Sequence, residues 1–140
     1  MEALIINLNL LIMDLLDKIQ EFTYENIGKL LFEIIPEYKT VFDSEPYKRE
    51  AIIGNYAFMN GFATILATEI NKNKSSEFVI NSFKFINHIS ISNNLEVLNI
   101  LKVGILEILY TSGVAIRKYT LEHLNDKNKI LFSNYSQFYL

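Results

Sequence analysis

Gly54-Asn55-Tyr56-Ala57-Phe58-Met59-Asn60-Gly61-Phe62-Ala63-Thr64-Ile65-Leu66-Ala67-Thr68-Glu69-Ile70 is the stretch whose reading decides the fold class. Its small residues, Gly54, Ala57, Gly61, Thr64 and Thr68, recur at alternating intervals of three and four, the spacing of a single helix face. Ile52, Tyr56, Met59, Ala63, Leu66 and Ile70 repeat that spacing on the opposite side, so the segment carries a large-residue stripe and a small-residue stripe. Glycine inside a helix costs about 1 kcal/mol relative to alanine, and the pattern predicts that another helix backbone approaches closely to compensate. Upstream, Ser44 offers an N-cap and Pro46 an early-turn proline, which extends the helix to about Glu45 through Asn71.

The rest of the chain agrees with a helical reading. In 140 residues there are only five glycines and two prolines, too few for an all-β chain that turns every ten residues or so, while half of the residues are hydrophobic, including ten Phe and eight Tyr. One domain covering residues 1–140 is expected, with ample core material and no disordered tract. Cysteine is absent, which excludes disulfide frameworks and thiolate chemistry and fits a cytoplasmic location. The apolar N-terminus has no Lys or Arg before Lys18 and is interrupted by Glu2, Asn7, Asn9 and Asp14, so it reads as an amphipathic helix and not as a signal or spanning segment. The stretch Leu95 to Tyr110 is too short to cross a bilayer and holds Lys102 and Glu107, so no membrane association is expected. The net charge of −3, with scattered Lys and Arg, argues against a nucleic-acid surface and favours basic protein partners.

Apolar periodicity places helices at about Glu2 to Gln20, Tyr24 to Ile35, Glu45 to Asn71, a segment capped by Ser75 or Ser76, Asn93 to Tyr110, Val114 to Leu124 and Lys127 to Phe138. Thr23 is positioned to cap the second, Pro36 ends it, and Ser92 opens the fifth. A short polar helix or turn follows Pro36. The helix Asn93 to Tyr110, apolar over more than half its circumference, reads as the innermost. The expected architecture is an all-α compact bundle of about six to seven helices with orthogonal or repeat-like packing.

No phosphate loop, zinc helix or nucleophile elbow occurs, so no catalytic residue, metal or cofactor is assigned. His88 falls on the polar stripe of its helix and reads as a surface residue. His123 follows Ile116 and Tyr119 at helical spacing and reads as partly buried. Glu107 borders the apolar arc of its helix, where a bond to a helix terminus or to Arg117 would fix packing register. The chemical alternative is an enzyme or ligand sensor with a pocket near Glu69, Glu107 and His123.

Two surfaces are candidates for recognition. The segment Pro36 to Glu50 combines Tyr38 and Tyr47 with Glu37, Asp43, Glu45 and Glu50, a mixture in which aromatic rings anchor and acids steer a basic partner. The C-terminal Tyr135, Phe138 and Tyr139 either cover the core or present an apolar patch. A homodimer through Gly54, Ala57 and Gly61, or a self-associating adaptor, is the other interaction reading.

The helix Val97-Leu98-Asn99-Ile100-Leu101-Lys102-Val103-Gly104-Ile105-Leu106-Glu107-Ile108-Leu109, followed by Arg117-Lys118-Tyr119 and Leu121 to Phe132, resembles a pattern in small helical immunity proteins of bacterial polymorphic toxin systems. These include the proteins encoded beside contact-dependent inhibition toxins. The resemblance implies a cytoplasmic protein that binds and blocks a cognate toxin domain, without catalysis of its own. A bias toward Asn, Ile and Lys, typical of AT-rich genes, accords with it.

Overall fold

In the computed structural model the chain is described over residues 22–42 and 55–139, and these residues form helices and turns with no strand among them. The predicted first helix, the start of the helix from Glu45, and Asp43, Glu45, Tyr47, Glu50 and Gly54 lie outside the described residues. In chain order the elements are α1 (Ile27–Ile34), α2 (Pro36–Phe42), α3 (Asn55–Asn73) and α4 (Glu77–Ile89). A central helix follows, made of α5 (Leu95–Asn99), a π segment (Ile100–Leu106) and α6 (Glu107–Tyr110). The last elements are α7 (Val114–His123), α8 (Asp126–Ser133) and a 3-10 turn (Asn134–Gln137). The all-α expectation holds. No described helix is long and apolar enough to cross a membrane.

Local sequence sets the helix ends. Before α1, Thr23 and Asn26 cap reciprocally: the Asn26 side-chain Oδ1 accepts from the Thr23 N–H at 2.7 Å, and the Thr23 hydroxyl accepts from the Asn26 N–H at 3.2 Å. Pro36 then opens α2, where its missing N–H costs nothing. Ser76 caps α4 through Val79, as predicted, whereas α5 is capped by Asn94, whose side chain accepts from Glu96 and Val97. Ser92 serves one step earlier, accepting from the Asn94 N–H at 3.1 Å. Gly113, before α7, has φ +113°, a conformation that L side chains rarely adopt.

The buried side chains form one cluster running through these helices. Its spine is a chain of rings, mostly edge-to-face: Phe22 on Phe85 at 5.7 Å, Phe85 on Phe62 at 5.8 Å, Phe62 on Tyr38 at 5.2 Å, Tyr38 on Phe58 at 5.9 Å and Phe58 on Phe32 at 5.3 Å. Such pairs contribute about 0.5–1.5 kcal/mol each beyond their buried area. This chain ties α1, α2, α3 and α4 into one unit.

Helix α3 packs most extensively on the π segment, and the close approach predicted for its glycines occurs on its other stripe. A Cβ added at Gly104 would stand 3.1 Å from the Met59 Cβ and 3.9 Å from the Tyr56 carbonyl oxygen. The small-residue ladder itself divides. Gly61 is buried and Ala57 half-buried, but Thr64 and Thr68 are exposed and return their hydroxyls to the carbonyls of Asn60 (2.8 Å) and Thr64 (3.1 Å). Threonine satisfies itself this way on a solvated strip, so that end of the ladder needs no packing partner.

Candidate protein-binding surface

The predicted contact segment is only partly a surface. Glu37 is exposed, but Tyr38 is 0% exposed and belongs to the ring spine, with its hydroxyl donating to the Phe58 carbonyl at 3.4 Å. This corrects the expectation of an exposed aromatic anchor at Tyr38. With Ile35 and Tyr38 both buried, α2 turns that edge inward, and the phenol oxygen finds a backbone partner as buried tyrosines require.

Glu69, Glu107 and His123 line none of the clefts described below. Glu107 accepts a hydrogen bond from the Tyr139 hydroxyl. His123 lies flat on Tyr119 with ring centroids 4.0 Å apart, and its Nδ1 is 2.8 Å from the Tyr119 carbonyl oxygen. Tyr119 in turn donates to the Lys74 carbonyl at 2.7 Å, and burial with the Glu122 charge raises its pKa. Among the described residues no group of three or more His, Cys, Asp or Glu could hold a metal ion. His88 is half-buried against Phe22, at 5.7 Å between rings, and is therefore not a fully solvated residue. Arg117 turns to Tyr110, where its guanidinium sits 4.0 Å above the ring and Nε donates to the Tyr110 carbonyl at 3.1 Å.

Several clefts indent the described surface, three of them bordered by α3, the central helix or the C-terminal turn. One of about 490 Å³ is mixed in character, bordered by Ile70, Asn71, Lys72, Asn73 and Lys74 around the end of α3 and by Ala115 and Tyr119. The other two flank the outer side of the central helix and share Lys102. The larger, about 430 Å³, is lined by Tyr56, Leu95, Glu96, Leu98, Asn99 and Lys102, and the smaller, about 250 Å³, by Lys102, Val103, Leu131, Asn134, Tyr135 and Phe138. None of the three is lined by Glu69, Glu107 or His123.

This double cleft carries large apolar side chains in water: Leu95 is 81% exposed, Phe138 76% and Val103 44%. Its framework is firmly held. Asn99 donates to the Tyr56 hydroxyl at 2.7 Å, joining α5 to α3, while the Tyr135 hydroxyl donates to the Lys102 carbonyl and that of Tyr139 to the Glu107 carboxylate. Behind these, Tyr110 packs against Phe132 (5.2 Å), Tyr135 (5.8 Å) and Tyr139 (6.0 Å). Burial, with Glu107 and Tyr139 adding to it, pushes the Tyr135 phenol up to about 12, and the hydrogen bond to Glu107 raises Tyr139. Both phenols are therefore neutral donors over the physiological range. The two alternatives for the C-terminal aromatics divide between residues: Tyr135 packs on the core, and Phe138 projects.

A polar latch fixes α8 beneath this surface. Asn125, the N-cap of α8, receives the Asn128 N–H at 2.8 Å, donates its own N–H to the Asn87 side-chain oxygen at 2.9 Å, and places its amide on the Asn87 carbonyl (3.2 Å) and the Ser90 hydroxyl (3.0 Å). Asn87 returns a bond to the His123 carbonyl at 3.0 Å, and Lys127 donates to the Ser90 carbonyl at 2.6 Å at the C-terminal end of α4. Asn128 is fully buried, and its Oδ1 and the Thr120 hydroxyl have no partner among the described residues.

Sequence reasoning missed the part played by Lys102 and Val103, which it placed within an uninterrupted innermost helix. The signal was Gly104, a glycine in an otherwise bulky apolar run. Comparison with protein-family models, with curated protein sequences and with solved structures finds no match to this chain.

Proposed function

We propose that this protein acts by binding another protein, and that it is an immunity protein which neutralises a cognate bacterial toxin domain. The observation that carries the binding reading is the pair of clefts meeting at Lys102, with Leu95, Val103 and Phe138 standing exposed around them. Exposed apolar anchors beside a firmly held framework are what a protein interface uses, because little side-chain freedom remains to be lost on docking. The immunity reading is supported by the resemblance of residues 97–109, the stretch that also supplies Lys102 and Val103 to this surface. Glu96 and Lys102 both line the larger cleft, so this surface offers charge of both signs to a partner.

The test is co-expression with the C-terminal domain of the large protein encoded next to this gene, scoring growth rescue and measuring the dissociation constant of the complex. Rescue by the wild type is expected, with a loss of affinity of at least about tenfold in Val103→Asp with Phe138→Ala. Charge reversal at Glu37, Asp43, Glu45 and Glu50 examines the acidic segment in the same assay. Absence of both rescue and complex with the wild type overturns the immunity reading.

A further inference from the structure

The middle of the central helix is a π segment, Ile100–Leu106. A π turn is rare, because its backbone geometry is less favourable than that of the α-helix, and where one persists something outside the helix holds it. Here the register is explicit: the Glu107 N–H reaches back five residues to the Lys102 carbonyl. That same carbonyl also accepts the Tyr135 hydroxyl, and the Glu107 side chain accepts the Tyr139 hydroxyl. Both ends of one π hydrogen bond are therefore gripped by the C-terminal turn.

We propose that Tyr135 and Tyr139 form a register lock that keeps the central helix in its π conformation and so determines how Lys102 and Val103 are displayed on the surface. Were the segment to rewind as an α-helix, the residues beyond it would rotate by about 100° relative to those before it. Glu107 would leave Tyr139, and Tyr110 would leave the site between Arg117 and Phe132 in which it is 6% exposed. The rings resist that rotation by packing on Tyr110, and the hydroxyls resist it by holding Lys102 and Glu107. Upstream, the contact of Gly104 with Met59 fixes the other side of the turn. The cleft of Val103 and Phe138 lies between the two halves of the lock, since Lys102 and Val103 come from the π segment and Tyr135 and Phe138 from the C-terminal turn. Anything that lifts the C-terminal turn from this cleft therefore releases both hydroxyls and shifts the helix toward its alternative register. The lock is a property of the chain alone and does not depend on which partner it binds.

Amide hydrogen exchange followed by NMR on the full chain tests it. The double variant Tyr135→Phe with Tyr139→Phe keeps both rings and removes both donors. Exchange at the amides of residues 104–111 should accelerate by at least about tenfold while α4 and α8 retain their rates. Unchanged rates at 104–111, with any effect confined to residues 135–139, would overturn the proposal. Should the double variant not fold, Glu107→Gln and Glu107→Ala decide the matter. Gln keeps an oxygen for Tyr139 and should exchange as the wild type does, whereas Ala should exchange faster at 104–111; equal rates in all three would exclude the lock.

Discussion

Gly104 and Met59 meet so closely that a Cβ on the glycine would lie 3.1 Å from the Met59 Cβ. A Cβ cannot swing aside as a flexible side-chain tip can, so accommodation requires the π segment and α3 to move apart. Gly104→Ala is expected to lose about 1–3 kcal/mol through overpacking, against a helix-propensity gain of only about 1 kcal/mol. Gly28→Ala is the control, since its nearest neighbour is the edge of the Phe58 ring at 3.4 Å, and it should be neutral or mildly stabilising. Urea unfolding midpoints of the two variants check the contrast.

Tyr38 supplies a second prediction. Tyr38→Ala removes a ring at the junction of Phe58, Phe62 and Phe32 and should cost about 3–5 kcal/mol, as large aromatic truncations in cores do. Tyr38→Phe keeps the ring, loses the bond to the Phe58 carbonyl and should cost about 1 kcal/mol. Thermal denaturation followed by circular dichroism distinguishes the two. Equal, negligible losses would contradict the placement of Tyr38 in the ring spine.

Alkaline pH offers a third. Tyr135 and Tyr139 have folded-state pKa values above the ordinary 10.0, so protonation favours the folded chain. Their contribution is complete below pH 10 and is lost as the pH rises through the folded value, about 12 for Tyr135. Glu107 faces both phenols, and Tyr110 and Arg117 lie beside them. Stability measured by denaturant titration should therefore fall between pH 10 and 12, and the fall should be smaller in Tyr135→Phe.

At the latch, Asn125 combines two tasks that substitution separates. Asn125→Asp retains the oxygen that caps α8 and loses the amide that reaches Asn87 and Ser90, whereas Asn125→Ala loses both. The alanine variant is expected to be destabilised by about 2 kcal/mol and the aspartate variant by less. Chemical denaturation ranks them, and a larger loss for Asp than for Ala would sink this division.

Much of the helical plan was legible because it rests on local chemistry. Pro36 ended α1, Ser76 capped α4, and the apolar arc of Asn93 to Tyr110 marked the central helix as an inner one. Tyr38 was misread because a seven-residue helix offers too few positions to define a face, and its neighbours Glu37 and Lys39 are charged and exposed. The π segment escaped because a 3.6-residue period was imposed on positions whose register is set from elsewhere, by Met59, Tyr135 and Tyr139. The double cleft is likewise a product of tertiary assembly, since Tyr56 and Phe138 reach Lys102 only when α3 and the C-terminal turn both settle against the central helix.

The π turn also bears on how this chain tolerates changes of length. A helix with one π turn carries a residue more than an uninterrupted α-helix joining the same two anchors, here Val97 and Leu109, both of them buried. Removal of a single residue between Ile100 and Leu106 would thus act as a repair of the ladder and not as a frame slip, leaving each flank on its own side of the core. The central helix is thus a place where this protein can shed one amino acid while both flanks stay seated in the core.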